Sequence, residues 1–111
     1  MQMQLDYNKN TIIDILRIGT KTYGDKTVLR KRTDSGWVDI SWNQVYTQVE
    51  ALASYLIKTG FRKGDIAAIY SANRPEWVVA DFATLFCAGV DASIYPTNSA
   101  SEAAYILDDT K

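Results

Sequence analysis

Histidine is absent from the 111 residues, and cysteine occurs once, at Cys87. Without histidine there is no Ser-His or Cys-His pair for nucleophilic catalysis, and the commonest nitrogen ligand of zinc is missing. A single cysteine excludes an internal disulfide framework and a thiolate metal cluster. Cys87 stands in the most apolar stretch. It reads as a small core residue, because a reactive thiol needs exposure and cationic neighbours. Charge of one sign is also lacking: 12 basic against 13 acidic side chains leave a net charge of −1, so no basic field invites nucleic acid or an anionic membrane. The longest apolar stretch, Trp77 to Val90, is too short to span a bilayer and carries Asp81. The start, MQMQLDYNKN, has no basic region followed by an apolar one and does not read as a secretory signal. These absences set the expectation of a cytoplasmic, reduced setting with no transmembrane segment and no nucleic-acid partner. No internal repeat or low-complexity segment is visible.

What is present is ordinary globular material, 47% hydrophobic and 23% charged, in a length that suits one compact unit. The spacing predicts a helix over about Thr11 to Tyr23, capped by Asn10 or Thr11, with Ile12, Ile13, Ile15 and Leu16 on its apolar side and Gly24 past its end. Thr27–Arg32 and Trp37–Ile40 read as a hairpin around Asp34-Ser35-Gly36. Arg30, Lys31 and Arg32 could hold a phosphate; a solvated strand edge protected by charge is the simpler reading.

Ser41 and Gln44 form a capping box. Trp42, Val45, Tyr46, Val49, Leu52, Ala53, Leu56 and Ile57 follow at helical spacing, and Gly60 closes the helix. That stripe reads as core rather than ligand contact. Ile66–Tyr70 is a short, almost wholly apolar run, as in a strand covered on both faces. Pro75 suits the first turn of a helix capped by Asn73 or Arg74. That helix should run to about Ala88, largely buried, and end at Gly89. Val90–Tyr95 is the next strand, stopped by Pro96. Ser99 and Glu102 form a second capping box before Ala103, Ala104, Ile106 and Leu107.

From Asp65 onward the order is strand, helix, strand, helix. Such alternation implies a parallel sheet with right-handed crossovers, to which the hairpin is an antiparallel addition. The fold class is therefore α/β, with a parallel βαβ sheet, a β-hairpin and helices on the sheet faces.

Chemistry is harder to find. The turn Ser71-Ala72-Asn73-Arg74-Pro75 lacks the glycines of a dinucleotide site, its proline removes a backbone donor, and no P-loop occurs. Asp81, in a buried helix, could be an acid or base; a hydrogen-bonded or ion-paired structural role is the better reading, because no second group of catalytic type lies near it in sequence. Arg74 could hold an anion or simply stand at a surface cap. Asp108 and Asp109 lack metal-ligand spacing. Ligands of open α/β sheets bind outside the carboxyl ends of strands. That rule points to Asn73, Thr97 and Asn98 as the rim of a pocket, with no catalytic, cofactor-binding or metal-binding residue identified.

Several blocks resemble the adenylate-forming (AMP-binding) superfamily. They are Tyr23-Gly24-Asp25-Lys26, Ile40-Ser41-Trp42-Asn43-Gln44-Val45, and Leu85-Phe86-Cys87-Ala88-Gly89-Val90 continuing to Tyr95-Pro96-Thr97. The combination of Asn73-Arg74-Pro75-Glu76-Trp77, Ala80-Asp81-Phe82, Ile94-Tyr95-Pro96-Thr97 and Ser101–Leu107 is most similar to the long-chain acyl-CoA synthetases. The resemblance covers about Thr11 to Leu107.

It implies that residues 1–111 are a single, incomplete N-terminal subdomain of a fatty acid–CoA ligase. The parent would use ATP, Mg²⁺ and CoA: a fatty-acid carboxylate attacks the α-phosphorus of ATP, and the CoA thiol then displaces AMP. In that family the chemistry falls to a Ser/Thr/Gly-rich phosphate loop, a downstream acidic residue and a lysine of a mobile C-terminal domain, none of which matches a position here. The implied partners are the remainder of the parent enzyme and, for the parent, a fatty acid. The segment itself is expected to bind no cofactor, to be inactive alone, and to self-associate through faces left bare. Two alternatives stand beside this: a stand-alone α/β interaction module, and a part of another adenylate-forming enzyme, of the amino-acid-adenylating or luciferase-like kind.

Overall fold

The computed structural model describes residues 3–6 and 8–110; Met1, Gln2 and Tyr7 of the N-terminal stretch, and Lys111, lie outside the described residues. Helix α1 (Ile12–Tyr23) begins at Thr11, whose backbone N–H donates to the Asp14 carboxylate at 2.9 Å. Gly24, at φ 44°, ends it by donating to the Thr20 carbonyl. Strands β1 (Thr27–Thr33) and β2 (Gly36–Ser41) form an antiparallel hairpin in which Thr33 faces Gly36 across a tight Asp34-Ser35 turn. Ser41 ends β2 and caps α2 (Trp42–Lys58): its Oγ accepts from Gln44 N at 3.1 Å, and Gln44 Oε1 accepts from Ser41 N at 2.8 Å. One residue therefore sets both where the hairpin stops and where the helix starts.

After α2 come β3 (Ile66–Tyr70), α3 (Pro75–Phe86), β4 (Val90–Ile94) and α4 (Ala100–Asp109), the last opened by the Ser99/Glu102 capping box. β3 and β4 pair in parallel, Ile66 beside Val90 through Tyr70 beside Ile94. The α/β class, the hairpin and the βαβ unit are thus as the sequence implies. No helix among the described residues is long and apolar enough to cross a membrane.

The core sits where α2 meets α1 and α3. Val49 is 0% exposed, and Leu16, Val45, Ala53, Val79 and Ala83 surround it. Tyr46 meets Phe86 edge to face at 6.0 Å between ring centroids. α1 approaches α2 through Gly19, where a Cβ would fall 2.2 Å from Cζ3 of Trp42. That close approach narrows the contact to Leu16 and Gly19, and it explains why Ile12 and Ile15, expected on the buried side, are exposed. Ile57 of the α2 stripe is exposed as well. Cys87 is half-buried, its Sγ 3.5 Å from the Ala53 carbonyl, and burial raises its pKa.

Two further expectations are corrected. α3 stops at Phe86 rather than Ala88, because Ala88 itself takes the left-handed conformation (φ 57°) and Gly89 N–H reaches back to the Thr84 carbonyl. Gly89 serves another purpose: a Cβ there would fall 2.5 Å from Cε1 of Phe61. And β3 is not covered on both faces. Ala67, Ile69, Asp91 and Ser93 share one face by register, the face that meets α3. The opposite face leaves Ile66, Tyr70 and Val90 at 40%, 49% and 51% exposure. The apolar run is real, but only one layer of partner lies against it. The radius of gyration, 15.6 Å, exceeds the roughly 13 Å of a compact chain of this length, in keeping with a projecting hairpin and an open sheet.

Substituting Gly19→Val is expected to cost about 1–3 kcal/mol by overpacking against Trp42. A urea unfolding curve read by tryptophan fluorescence measures it; an unchanged midpoint would show that α1 and α2 do not meet at Gly19.

Candidate ligand cleft

The carboxyl ends of β3 and β4 frame a cleft of about 480 Å³, with Ser71, Asn73, Trp77, Ser93 and Tyr95 on its walls. Trp77 comes from the first turn of α3, and Ser93 from the face of β4 that α3 covers. The structure therefore places Asn73 on this cleft. Asn98 lies behind its rim and builds the loop: Tyr95 N–H donates to Asn98 Oδ1 at 2.9 Å, and Asn98 N–H donates to the Tyr95 carbonyl at 3.0 Å. The Tyr70 hydroxyl donates to the Asn98 carbonyl at 2.5 Å. Thr97 is exposed at the tip of the same loop. The wall offers hydroxyls, an amide and two aromatic rings, and none of its side chains is a carboxylate or an amine. Such a surface can hold a neutral polar group by hydrogen bonds and ring contact, but it has no base with which to activate a nucleophile.

A second groove, about 420 Å³, lies between β1 and the start of α3 and carries Arg30, Lys31, Arg32 and Arg74. Two of its four cations are met by acids of the chain and a third lies over an aromatic ring. Arg30 pairs with Asp39 at 2.9 Å, and the Arg32 guanidinium stacks over Trp37 at 5.7 Å. Arg74 donates to Glu76 Oε2 from both Nε (3.0 Å) and Nη2 (2.7 Å), and this bond holds the Glu76 carboxyl below its ordinary pKa. A nucleotide phosphate does not fit here. Pro75, the first helical residue of α3, has no N–H, and Glu76 already places a carboxylate at the positive end of the helix. Arg74 is the N-cap residue without a side-chain cap bond. No group of three His, Cys, Asp or Glu among the described residues could hold a metal ion.

One polar contact was not legible in the sequence. Asp91 on β4 is set against Asp81 and Thr84 of α3. Burial, then the hydrogen bond from one carboxyl to the other, then their charge repulsion raise the Asp91 pKa from 3.8 to about 7, and the Thr84 contact opposes the shift. Asp91 Oδ1 is buried without a hydrogen-bond partner. Asp81 thus does have a structural contact, yet its partner is a second acid rather than a cation or a helix end. Alternation along β4 was the available signal: with Val90, Ala92 and Ile94 on one face, Asp91 must point to the other, toward α3.

The family model described as AMP-binding enzyme matches residues 17–111. Among curated proteins, the chain is similar to the long-chain-fatty-acid–CoA ligase FadD15 of Mycobacterium bovis, 34% identical over 87 residues, which is 78% of this chain and 14% of that protein. It is also similar to fatty acyl-CoA synthetase A of Dictyostelium discoideum, 32% identical over 104 residues, 88% of this chain and 15% of the other. The chain therefore spans about one seventh of the length of these relatives. Among solved structures, the N-terminal subdomain of NpsA from Klebsiella oxytoca superposes with a TM-score of 0.80 at 21% identity, over 89% of this chain and 25% of that one. The fatty acyl-adenylate ligase from L. pneumophila does so with a TM-score of 0.75 at 17% identity, over 85% and 17%. At these identities the structural matches establish the shared fold.

The Asp81–Asp91 contact has a pH signature. Asp91 keeps its proton in the folded chain up to about pH 7, whereas the unfolded chain releases it near 3.9. Between those values the folded state binds more protons, so stability falls as pH rises and levels off above about 7. Urea midpoints between pH 4.5 and 8 should show this fall, and Asp91→Asn should flatten it while raising the midpoint at pH 8. A wild-type midpoint that rises across the window would contradict the contact.

Proposed function

Because the chain belongs to the AMP-binding enzyme family, we propose that it is the N-terminal scaffold segment of a long-chain fatty acid–CoA ligase. The observation that carries this is the 34% identity to a long-chain-fatty-acid–CoA ligase across 78% of the chain, inside a family match that runs from residue 17 to 111. The fold agrees with it, but the fold is shared with enzymes of other substrates and does not choose among them.

The parent reaction is acid–thiol ligation. A fatty-acid carboxylate attacks the α-phosphorus of ATP, pyrophosphate leaves, and the thiol of CoA displaces AMP from the acyl-adenylate. The demands of that chemistry are neutralisation of the triphosphate and positioning of two anions that repel each other. In this proposal those tasks belong to the remainder of the parent enzyme, which also binds ATP, Mg²⁺ and CoA. Residues 1–111 contribute shape as one incomplete subdomain. Three features support an inactive role: the cleft wall holds no carboxylate or amine, two of the four cations of the neighbouring groove are paired with local acids, and histidine is absent. In this proposal Asn73 on the cleft, and the loop of Thr97 and Asn98 beside it, abut the rest of the enzyme.

The exposed apolar residues of the sheet, together with Tyr105 and Leu107 of α4, support two partners. In the parent they meet further chain; in the isolated segment they lead to self-association. Cytoplasmic placement is part of the same proposal, supported by a lone, half-buried thiol.

The test is ATP–pyrophosphate exchange with palmitate. The full-length gene product should catalyse it, with turnover on the order of 1–10³ s⁻¹, and the 111-residue chain should not exceed a no-enzyme blank. Exchange by the isolated chain would overturn the scaffold role. Exchange by the full-length product with amino acids in place of fatty acids would overturn the substrate class.

A further inference from the structure

We propose that the Asp81–Asp91 contact is a proton-operated latch between α3 and β4, closed while the two carboxyls share a proton and released when both are ionised, and that it sets the width of the cleft at the carboxyl end of the sheet. The latch consists of this chain's own residues and does not depend on which substrate a longer enzyme takes.

Placement is the first ground. Trp77, Asp81 and Thr84 stand at i, i+4 and i+7 on α3 and so form one stripe of the helix. Asp91 and Ser93 share the face of β4 that meets this stripe. Trp77 and Ser93 are also walls of the cleft. The acid pair therefore lies just below the cleft, about one helical turn (5.4 Å) from Trp77 along α3 and roughly 6–7 Å from Ser93 along β4. Whatever changes the spacing of Asp81 and Asp91 also changes that of Trp77 and Ser93.

The two ends of α3 are held unequally. Beyond its C-terminal end, Gly89 N–H donates to the Thr84 carbonyl at 2.9 Å, Gly64 N–H to the Ala88 carbonyl at 2.9 Å and Val90 N–H to the Asp65 carbonyl at 2.8 Å. Phe61 fills the space against Gly89. The N-terminal end follows the exposed residues Ala72, Asn73 and Arg74, and Trp77 N–H bonds back to the Arg74 carbonyl within the same turn. Val79 and Ala83 hold the other side of the helix in the core. Repulsion at Asp81 therefore tilts α3 about its fixed end without detaching it, and Trp77 moves most.

The ionised pair finds no relief where it sits. Asp91 Oδ1 is buried without a hydrogen-bond partner, and the Thr84 hydroxyl donates its one proton to the Ala80 carbonyl at 2.8 Å. β4 is packed by α3 and β3. β3 sets the uncharged Ala67 beside Asp91, and the carboxylates of α3 are Asp81 and, in its first turn, Glu76. Cations near α3 stand at its two ends: Arg17 over the Phe86 ring, and Lys31 and Arg74 at Glu76. The charged neighbour that acts on Asp91 is Asp81, and the proton is kept up to about pH 7. Above that, two like charges in contact regain hydration only if α3 and β4 part and water enters from the cleft. The 111 residues contain no histidine, the one side chain that ordinarily changes charge between pH 5 and 8. The acid pair therefore takes that role here.

The test replaces tryptophan by 5-fluorotryptophan in the full-length gene product and follows the Trp77 fluorine signal, identified by its loss in Trp77→Phe. The titration runs from about pH 5.5 to 8.5, where ordinary carboxylates are already ionised. Chemical shift is one readout; relaxation by a neutral gadolinium chelate, which reports exposure to solvent, is the other. Both should titrate with a midpoint near pH 7, with exposure rising on the alkaline side, while Trp37 on the hairpin stays level. Asp91→Asn and Asp81→Asn should each abolish the titration, because a single carboxylate has no like charge to repel. Should Asp91→Asn fail to fold, Asp81→Asn decides the same question. A level Trp77 signal in the wild type overturns the proposal, and so does a titration that persists in either folded variant. A shift that titrates without a change in exposure also overturns it, because the charge would then be felt without movement.

Discussion

Everything in this chain depends on the burial of one side of α2. Val49 is sealed completely, between Leu16 of α1 and Val79 and Ala83 of α3. The hairpin is tied to that helix through Ser41, which belongs to β2 and caps α2 at once. α1 is tied to it through Gly19 against Trp42, and through the Gly24 carbonyl, which accepts from Asn43 N–H. The two-stranded sheet reaches the core only through α3. A sheet held from one side must leave its other face bare, and the exposed Ile66, Tyr70 and Val90 are the result. Complete burial of such side chains stabilises by roughly 1.5–3 kcal/mol each. Against a total stability of about 5–15 kcal/mol for a whole domain, several of them unfilled is a large deficit.

The electrostatics carry the same message. Two of the four cations in the groove beside α3, Arg30 and Arg74, are matched by Asp39 and Glu76 at hydrogen-bond distance, which lowers the field left for a ligand. The ligand cleft is lined by neutral groups. Among the described residues, the uncompensated polar contact joins Asp81 to Asp91, between α3 and β4. It lies under the helix rather than in the cleft, so it bears on how firmly α3 holds the sheet. A carboxyl pair in that place is tolerated because one member stays protonated at moderate pH.

Much of this was legible in the residues. Both capping boxes, the Pro75 helix start, the hairpin and the bounds of β3 follow from local chemistry, and local chemistry is what a sequence displays. The misreadings share a cause. Ile12, Ile15 and Ile57 were assigned to the interior because periodicity finds an apolar face but not how much of it a neighbour reaches. β3 was read as doubly covered because an apolar run does not report how many layers meet it, and here α3 covers one face while Ile66 and Tyr70 stay exposed on the other. Ala88 took the left-handed position that glycine was expected to fill, since Gly89 was needed to admit Phe61. The Asp81–Asp91 contact joins a helix and a strand, and only the alternation along β4 hinted at it. Of the candidate rim, Asn73 lies on the cleft while Asn98 shapes the loop behind it. The carboxyl-end rule locates an edge but does not sort lining from scaffolding.

The account treats this chain as a frame that completes itself only against more chain. Sedimentation velocity of the isolated 111 residues across a concentration series, paired with a thermal melt, tests that most directly. The account predicts concentration-dependent association or a low, broad melting transition, from apolar faces with nothing to cover them. A monodisperse monomer with a sharp transition at high temperature would contradict it.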